Sequence, residues 1–242
     1  MNRIKIWKDP YCEGFNTCTA GSISIQEGVT VVVGCNGAGK STLIHNISEQ
    51  LKEEHITVLM YNNLHDGGSY SFGALLFDGD YSGAASMWAS SEGEQIRQNI
   101  CNIAKQVHRY LKTGNTEKSD RELTWEKLFK TESEVQKDRV DERWILLDAV
   151  DSGYSVDNVI DLKNLFNMIT KDAKQLGVNL YIVITANEYE LANGQQCLDV
   201  HTGKYITFKD YEEYRSYIIK SRKKVDARYE RLRQKNEKSD NA

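Results

Sequence analysis

The chain has 242 residues, 40% of them hydrophobic and 27% charged, and a formal net charge of −4 at pH 7. This length suits one α/β domain with an insertion and a tail, and the ordinary composition favours a soluble globular protein. The slightly acidic balance excludes a bulk attraction to nucleic acid, so any basic surface must be local.

Cysteine and histidine usage argues against a zinc site. The five cysteines are scattered, form no C-x-x-C pair and are odd in number, which predicts reduced thiols and no zinc site. The histidines show no metal-ligand spacing. No N-terminal stretch resembles a signal peptide, and no apolar run approaches the roughly 20 residues that span a bilayer. We therefore expect a cytoplasmic protein that does not enter a membrane.

Hydrophobic periodicity predicts the elements in chain order. Alternating or continuous apolar runs predict strands over residues 3–7, 22–25, 29–33, 56–61, 144–148 and 179–185. Helical spacing predicts helices over residues 40–51, 92–111 and 155–176, the last of which ends at Gly177.

The remaining segments are predicted as loops, a hairpin, an insertion and a tail. Residues 66–90 are expected to be mainly loop, and residues 197–208 to form a hairpin around a Thr-Gly turn. Residues 113–142 are strongly charged and are predicted to be a short helical insertion. The tail over 209–242 is predicted to be helical from Tyr211 and to end in a disordered polar segment.

A glycine-rich loop follows the third predicted strand. Residues 34–42 read GCNGAGKST, which fits the G-x-x-x-x-G-K-[ST] spacing without a gap. The glycines let backbone N–H groups turn toward phosphate oxygens, Lys40 neutralises charge on the β- and γ-phosphates, and Ser41 reaches Mg²⁺. The predicted nucleotide-binding residues of this loop are Gly34, Asn36, Gly37, Ala38, Gly39, Lys40, Ser41 and Thr42.

The chain resembles the ABC-type P-loop ATPases of the SMC, RecF and OLD branch over about residues 3–208. The form G-x-N-G-x-G-K-S-T resembles the Walker A loop of that family, and residues 90–95 (SSEGEQ) resemble its S-x-G-E signature loop. Residues 144–148 (WILLD) and 151–155 (DSGYS) resemble its Walker B strand and D-loop. The resemblance implies a three-layer α/β P-loop NTPase head over 1–208, with a small antiparallel β subdomain.

The same resemblance implies ATP and Mg²⁺ as ligands, with Asp148 placed to bind the metal through water alongside Ser41. One chain carries one Walker A loop and one signature loop, so the family geometry implies a homodimer closed around two ATP molecules. Ser91 and Gly93 would then complete the site of the partner. The alternative is that Ser91 only begins an ordinary S-x-x-E capping box with Glu94.

Two groups that the family uses in hydrolysis are replaced. Ala149 occupies the position of the glutamate that polarises the attacking water, and Ala186 that of the switch histidine. Asp151 or Glu188 could position the water instead, positioning of the phosphates alone could support slow hydrolysis, or ATP could act as a switch without turnover. We predict slow hydrolysis. The catalytic candidates are Lys40, Asp148 and Asp151.

Two further placements stay open at this point. The Q-loop glutamine of the family has no clear counterpart after residues 56–61, where Asn62 or Asn63 offers a similar amide. Tyr11 and Phe15 are candidates to stack on adenine, with ordinary core packing as the alternative.

The tail has a mixed pattern. Residues 214–238 contain ten Lys or Arg and three acidic residues, which predicts either a solvated face or a contact with nucleic-acid phosphates. Apolar residues recur at seven-residue spacing, but Ser221 and Arg228 occupy the matching d positions. This favours a helix laid along this protein or a partner over a self-standing coiled coil.

The biological setting follows from the resemblance alone, which implies DNA maintenance or phage defence with an effector on another protein chain. The main alternative is a non-hydrolysing, ATP-binding regulator or scaffold. A transporter ATPase subunit is disfavoured because residues 62–90 are too few for the helical subdomain that couples to membrane domains. A P-loop kinase would not need the signature loop.

Overall fold

Eight strands and five helices are formed by the part of the chain that the computed structural model describes, which is residues 3–6, 18–62, 85, 89, 91–116 and 142–239. The strands are β1 (Arg3–Lys5), β2 (Ser22–Ser24), β3 (Gly28–Val33), β4 (Val58–Asn62), β5 (Glu142–Asp148), β6 (Asn179–Thr185), β7 (Cys197–Asp199) and β8 (Tyr205–Ile206). The helices are α1 (Lys40–Glu53), α2 (Glu92–Thr113), α3 (Val156–Gln175), α4 (Tyr189–Ala192) and α5 (Tyr211–Ser239).

One six-stranded sheet has the order β4-β5-β6-β3-β7-β8, and β1 pairs with β2 in a separate antiparallel pair. The first five strands of the large sheet are parallel, and only the edge strand β8 is antiparallel to its neighbour. Strands β3, β5 and β6 are buried along nearly their whole length. Their unbroken apolar runs are what a parallel sheet covered on both faces requires.

Helices cover both faces of this sheet. On one face α1 packs through Leu43 and Ile47 against Trp144 and Leu146 of β5. On the other face α2 and α3 pack against the alternate β5 residues, Ile145 and Leu147. The expectation of an α/β fold is confirmed in this form: a mostly parallel sheet with helices on both faces.

The chain reverses its winding direction at β3. From β3 it passes over one face to β4, and from β4 it returns strand by strand over the other face to β6, which lies beside β3. In open parallel sheets, ligands bind at the carboxyl edge where the strand order reverses. The predicted phosphate-binding loop directly follows β3 and therefore lies at this point.

The predicted strands and helices within the described ranges are confirmed. For most of them, an observed end differs from the predicted one by one or two residues. Helix α3 ends before Gly177, whose φ of +70° needs a glycine, as expected. The hairpin of β7 and β8 also turns where it was predicted, at Thr202-Gly203. Four predicted features lie outside the described residues: most of the 66–90 loop, insertion residues 117–141, Asn63, and the adenine candidates Tyr11 and Phe15.

Helix α5 lies along the protein in its first half. Tyr214 packs into the core on the α2 and α3 side, whereas Val225 packs into the core on the α1 side. The helix continues to Ser239 and so includes most of the polar segment for which the sequence predicts disorder. None of the described helices is long and apolar enough to cross a membrane.

Candidate functional site

The loop between β3 and α1 has the backbone that its glycines predict. Gly37 and Gly39 have φ values of +80° and +94°, and Gly39 is the N-cap of α1. Gly34 is required for a different reason, because a Cβ there would lie 2.6 Å from Cγ1 of Val200. The first turn of α1 contains no acidic residue. Its N–H groups and dipole therefore present a favourable position for an anion at the carboxyl edge of the sheet.

Lys40 is buried against its own loop. Its Nζ donates hydrogen bonds to the carbonyl oxygens of Gly34 at 2.9 Å and Cys35 at 3.4 Å. Burial lowers the pKa of Lys40, while its electrostatic interactions with Cys35, Asp151 and Asp148 act in the opposite direction. The amine is thus held at the loop by neutral acceptors, and its charge is only partly compensated.

The other loop residues differ in exposure. Asn36, Gly37 and Ser41 are exposed, Thr42 is half-buried and Ala38 is fully buried. The exposed Ser41 hydroxyl lies in the first turn of α1, where the sequence analysis places a magnesium ligand. Ala38 instead belongs to the core beneath the loop and is fully buried, so its side chain supports the turn.

Asp148, at the end of β5, is held from both neighbouring strands. Its Oδ1 accepts a hydrogen bond from the Thr185 hydroxyl of β6 at 2.7 Å, and its Oδ2 accepts one from the Asn62 side-chain amide of β4 at 3.3 Å. The strand register pairs Asn62 with Asp148 directly. The sequence left open which residue supplies an amide after β4. In the structure the Asn62 amide contacts Asp148 and orients its carboxylate.

Thr185 is a site residue that the sequence analysis did not select. Its hydroxyl donates to Asp148 and accepts the N–H of Ala149 at 2.8 Å. Ala149 has a φ of +51°, a left-handed backbone that is uncommon for a residue other than glycine. In the sequence, the only indication of this role was a polar residue at the end of a predicted buried strand. Its contact with Asp148 could not be inferred, because that contact depends on β5 and β6 being neighbours in the sheet.

Asp151 is engaged by backbone. It is 2% exposed, and its Oδ2 accepts N–H groups from Asn187 at 2.7 Å and from Glu188 at 2.8 Å. Its Oδ1 accepts the Asn187 side-chain amide at 3.2 Å. Burial raises the pKa of Asp151, and these hydrogen bonds act to lower it. The carboxylate therefore ties the turn after β5 to the turn after β6, and its catalytic role stays a prediction.

Glu188, the other carboxylate considered for water positioning, is exposed at the same edge. Its backbone N–H is bound by Asp151 and it is the N-cap of α4. The side chain thus stands on a turn that Asp151 stabilises. Ala186, at the position where the resemblance places a switch histidine, is fully buried and belongs to the core.

Ser91 begins α2 with the predicted capping box. The Glu94 carboxylate accepts hydrogen bonds from the Ser91 N–H at 2.8 Å and from the Ser91 hydroxyl at 2.9 Å. These bonds lower the pKa of Glu94. Ser91 is exposed, and α2 lies on the face of the sheet opposite to α1. Gly93 is within α2, and its surroundings lie outside the description.

Comparison with known protein families identifies one match. The family model described as Nephrocystin 3, N-terminal matches residues 21–186. The matched region contains the glycine-rich loop, Asp148, Asp151 and Thr185, and it ends one residue after β6. No curated protein matches the chain. The family description does not mention ABC-type ATPases, so that narrower resemblance stays a proposal.

Proposed function

The chain belongs to the family described as Nephrocystin 3, N-terminal, and we propose that its matched region is an ABC-type P-loop head that binds Mg-ATP and hydrolyses it slowly. We further propose that ATP gates a homodimer. The observation that carries the proposal is the pairing of an anion-binding loop and a held carboxylate at one sheet edge. Lys40 and the start of α1 supply the first, and Asp148 between Asn62 and Thr185 supplies the second.

The chemistry of the loop supports a polyphosphate ligand. Lys40 lies on two carbonyl oxygens of the loop, which are weaker partners for an ammonium group than phosphate oxygens. We therefore propose that Lys40 leaves Gly34 and Cys35 and binds the β- and γ-phosphates. The loop N–H groups and the α1 dipole would bind the same phosphates without a side-chain charge.

The residues at this edge also fit Mg²⁺, which prefers hard oxygen ligands and retains several waters. Ser41 offers an exposed hydroxyl, and Asp148 offers a carboxylate whose orientation is already set by two hydrogen bonds. In the proposed site the bound ion would neutralise charge on the phosphates. Thr185 and Asn62 would keep the carboxylate aimed as it is.

Slow hydrolysis follows from what stands at the water-activating positions. Ala149 has no acid or base, and the carboxylate oxygens of Asp151 accept three hydrogen bonds from neighbouring residues. Positioning of the phosphates and charge neutralisation remain, and they supply much of the catalysis in phosphoryl transfer. The same observation favours the second candidate function, a regulator that binds ATP without turnover, and a single-turnover ATPase measurement separates the two.

The position of Ser91 supports a two-chain site. Helix α2 is about 33 Å long at 1.5 Å per residue, and the seven-residue β5 is about 23 Å long. Tyr110, near the end of α2, binds Thr57 and Trp144 at the start of β4 and β5, so α2 begins toward the opposite, carboxyl edge. In the proposed dimer the Ser91 end of α2 meets the phosphates held by the partner.

The wider role is proposed from the resemblance: DNA maintenance or phage defence, with a protein effector on another chain. The surplus of Lys and Arg over acidic residues between positions 214 and 238 is the feature that would contact nucleic-acid phosphates.

Nucleotide binding is tested by titrating the protein with a fluorescent ATP analogue in Mg²⁺ buffer. We expect saturable binding by the wild type and an affinity at least about tenfold weaker for Lys40→Ala, because a charged partner of the phosphates is removed. Lys52→Ala is the matched control, since Lys52 lies on the same helix and is exposed. Equal affinities for wild type and Lys40→Ala would exclude the proposed site.

A further inference from the structure

Ser221 is a buried polar residue on an otherwise apolar helix face. It is 1% exposed and lies between Tyr217 and Val225, both of which pack toward the core. In the sequence it is a polar residue at an apolar heptad position. A buried hydroxyl needs hydrogen-bond partners, and the identity of those partners shows what this position does.

The partners of Ser221 lie at the start of the phosphate-binding loop. Its Oγ accepts the backbone N–H of Cys35 at 3.0 Å and lies 2.6 Å from Nε2 of His201. Burial lowers the pKa of His201, which favours the neutral ring. A neutral Nε2 can accept a hydrogen bond from the Ser221 hydroxyl while Oγ accepts one from the Cys35 N–H. The imidazole nitrogen, the hydroxyl and the amide then each have a partner.

Tyr217, one turn earlier on α5, contacts the other side of the same loop start. Its hydroxyl lies 3.1 Å from the carbonyl oxygen of Val33 and 2.7 Å from Oδ1 of Asp199. Burial, with the adjacent Asp199, raises the pKa of Tyr217, so the hydroxyl stays protonated as a donor. The one hydroxyl proton is shared between these two acceptors, and two successive turns of α5 thus contact the carbonyl before Gly34 and the amide after it.

The opposite side of this loop start is held by Lys40, which donates to the carbonyl oxygens of Gly34 and Cys35. In the proposed function these Lys40 bonds are exchanged for bonds to phosphate. The contacts of Tyr217 and Ser221 then hold the loop start in place. They are the described hydrogen bonds that connect the loop start to α5.

We propose that Ser221 is a positioning residue for the phosphate-binding loop and that it couples nucleotide binding to helix α5. This inference rests on the proposed function. Beyond Val225, α5 continues for fourteen residues to Ser239, which is about 21 Å of helix. Over residues 226–234 and at Glu237, where side chains are described, most of them are exposed. By thermodynamic reciprocity, a nucleotide that orders the loop stabilises this helix, and a partner that binds the helix changes the affinity for nucleotide.

The test combines hydrogen exchange with nucleotide affinity on the full chain. In Ser221→Ala without nucleotide, we expect faster exchange at residues 33–37, because the Cys35 amide loses its acceptor. We expect Mg-ATP affinity to fall by about three- to tenfold, the effect of losing one hydrogen bond. Mg-ATP should slow hydrogen exchange in residues 214–225 of the wild type, and this slowing should be absent from Ser221→Ala.

Two controls separate positioning from general destabilisation. Ser216→Ala changes an exposed serine on the same helix and should leave every readout at the wild-type value. Val225→Ala opens the core beneath α5 but removes no hydrogen bond of the loop, so it should lower the melting temperature and leave the affinity within about twofold. If Ser221→Ala fails to fold, Tyr217→Phe removes the hydroxyl at Val33 while keeping the buried ring, and faster exchange at residues 33–37 is expected there too.

The outcomes are distinguishable. Unchanged exchange at residues 33–37 in Ser221→Ala overturns the positioning role, whether or not ATP binds. Equal losses of affinity in Ser221→Ala and Val225→Ala overturn it as well, because they would reflect stability alone. A wild type that does not bind Mg-ATP overturns the proposed function and the coupling with it. Faster loop exchange in Ser221→Ala would then still support the structural contact.

Discussion

Ala149 combines two unusual properties in one residue. It stands where the proposed ABC-type resemblance places a carboxylate, and its φ of +51° is in the left-handed region. Its N–H is bound by Thr185, so the backbone is held and the Cβ direction is set by the turn. A longer side chain at this position would therefore extend from a fixed backbone, at the same edge of the sheet as the phosphate-binding loop.

Restoring the carboxylate at position 149 should speed hydrolysis. In Ala149→Glu we expect single-turnover ATP hydrolysis to rise by up to about 10²-fold, because a residue that orients water contributes on that order. Ala149→Gln is the control, since it has nearly the same shape without the base. Equal rates for wild type, Glu and Gln variants would mean that position 149 does not face the attacking water.

Thr185 stabilises the acidic edge through two hydrogen bonds. It connects the side chain of Asp148 with the backbone of Ala149, and its hydroxyl is buried between β5 and β6. Removing the hydroxyl leaves a carboxylate oxygen with one donor fewer and a buried N–H without its acceptor. Both changes destabilise the arrangement that the proposed metal site uses.

Thr185→Val should lower both the stability of the protein and its apparent affinity for Mg²⁺. We expect a loss of about 1–3 kcal/mol in the free energy of unfolding, and a higher Mg²⁺ concentration for half-maximal nucleotide binding. Thr30→Val is a matched control, since it removes a buried threonine hydroxyl of β3 that contacts Tyr205. A shift in Mg²⁺ dependence that is as large in Thr30→Val would show that the effect is not local to Asp148. Denaturant titration and nucleotide binding measure the two quantities.

At the scale of elements, the loop after β3 is built as part of the core. Gly34 packs against Val200, just beyond β7, and Ala38 belongs to the cluster that contains α1. Val200 is buried and β-branched, so it has little freedom to move aside. The first half of the loop is thus fixed by packing, while its second half is fixed by glycine backbone at Gly37 and Gly39.

Gly34→Ala should be destabilising through overpacking. Its Cβ would lie 2.6 Å from Val200 and 3.1 Å from Ala38, and inserting a methyl group into a packed core typically costs about 1–3 kcal/mol. Gly21→Ala is the control, because nothing lies within 4 Å of a Cβ there. A free energy of unfolding that is unchanged in Gly34→Ala would contradict the tight packing described here. Chemical denaturation of both variants makes the comparison.

At the scale of the whole molecule, the two proposed phosphate-contacting elements lie on opposite faces of the sheet. Helix α1 carries the loop on one face, and α2 carries Ser91 on the other. A site that needs both is most simply completed by a second chain. The proposed head-to-tail dimer is inferred from this arrangement.

Mg-ATP should therefore convert the protein from monomer to dimer, as measured by size-exclusion chromatography with light scattering. Ser91→Arg should bind ATP with the wild-type affinity but remain monomeric, because a large charged side chain would stand at the proposed contact. Gln106→Arg, at an exposed position on the same helix, should still dimerise. Dimerisation of Ser91→Arg at the ATP concentration that dimerises the wild type would contradict a dimer closed around two ATP molecules.

The sequence by itself determined the strands, most helix limits and the glycine loop, because apolar runs, periodicity and glycine spacing are local properties. The order of the strands decided the rest. It brings Asn62 and Thr185 to Asp148 and places Asp151 against the turn at Asn187. These residues are far apart in the chain, so no local sequence pattern connects them. Ser221 and Cys35 are 186 residues apart in the chain. Only packing of α5 across the sheet edge makes that serine a partner of the loop.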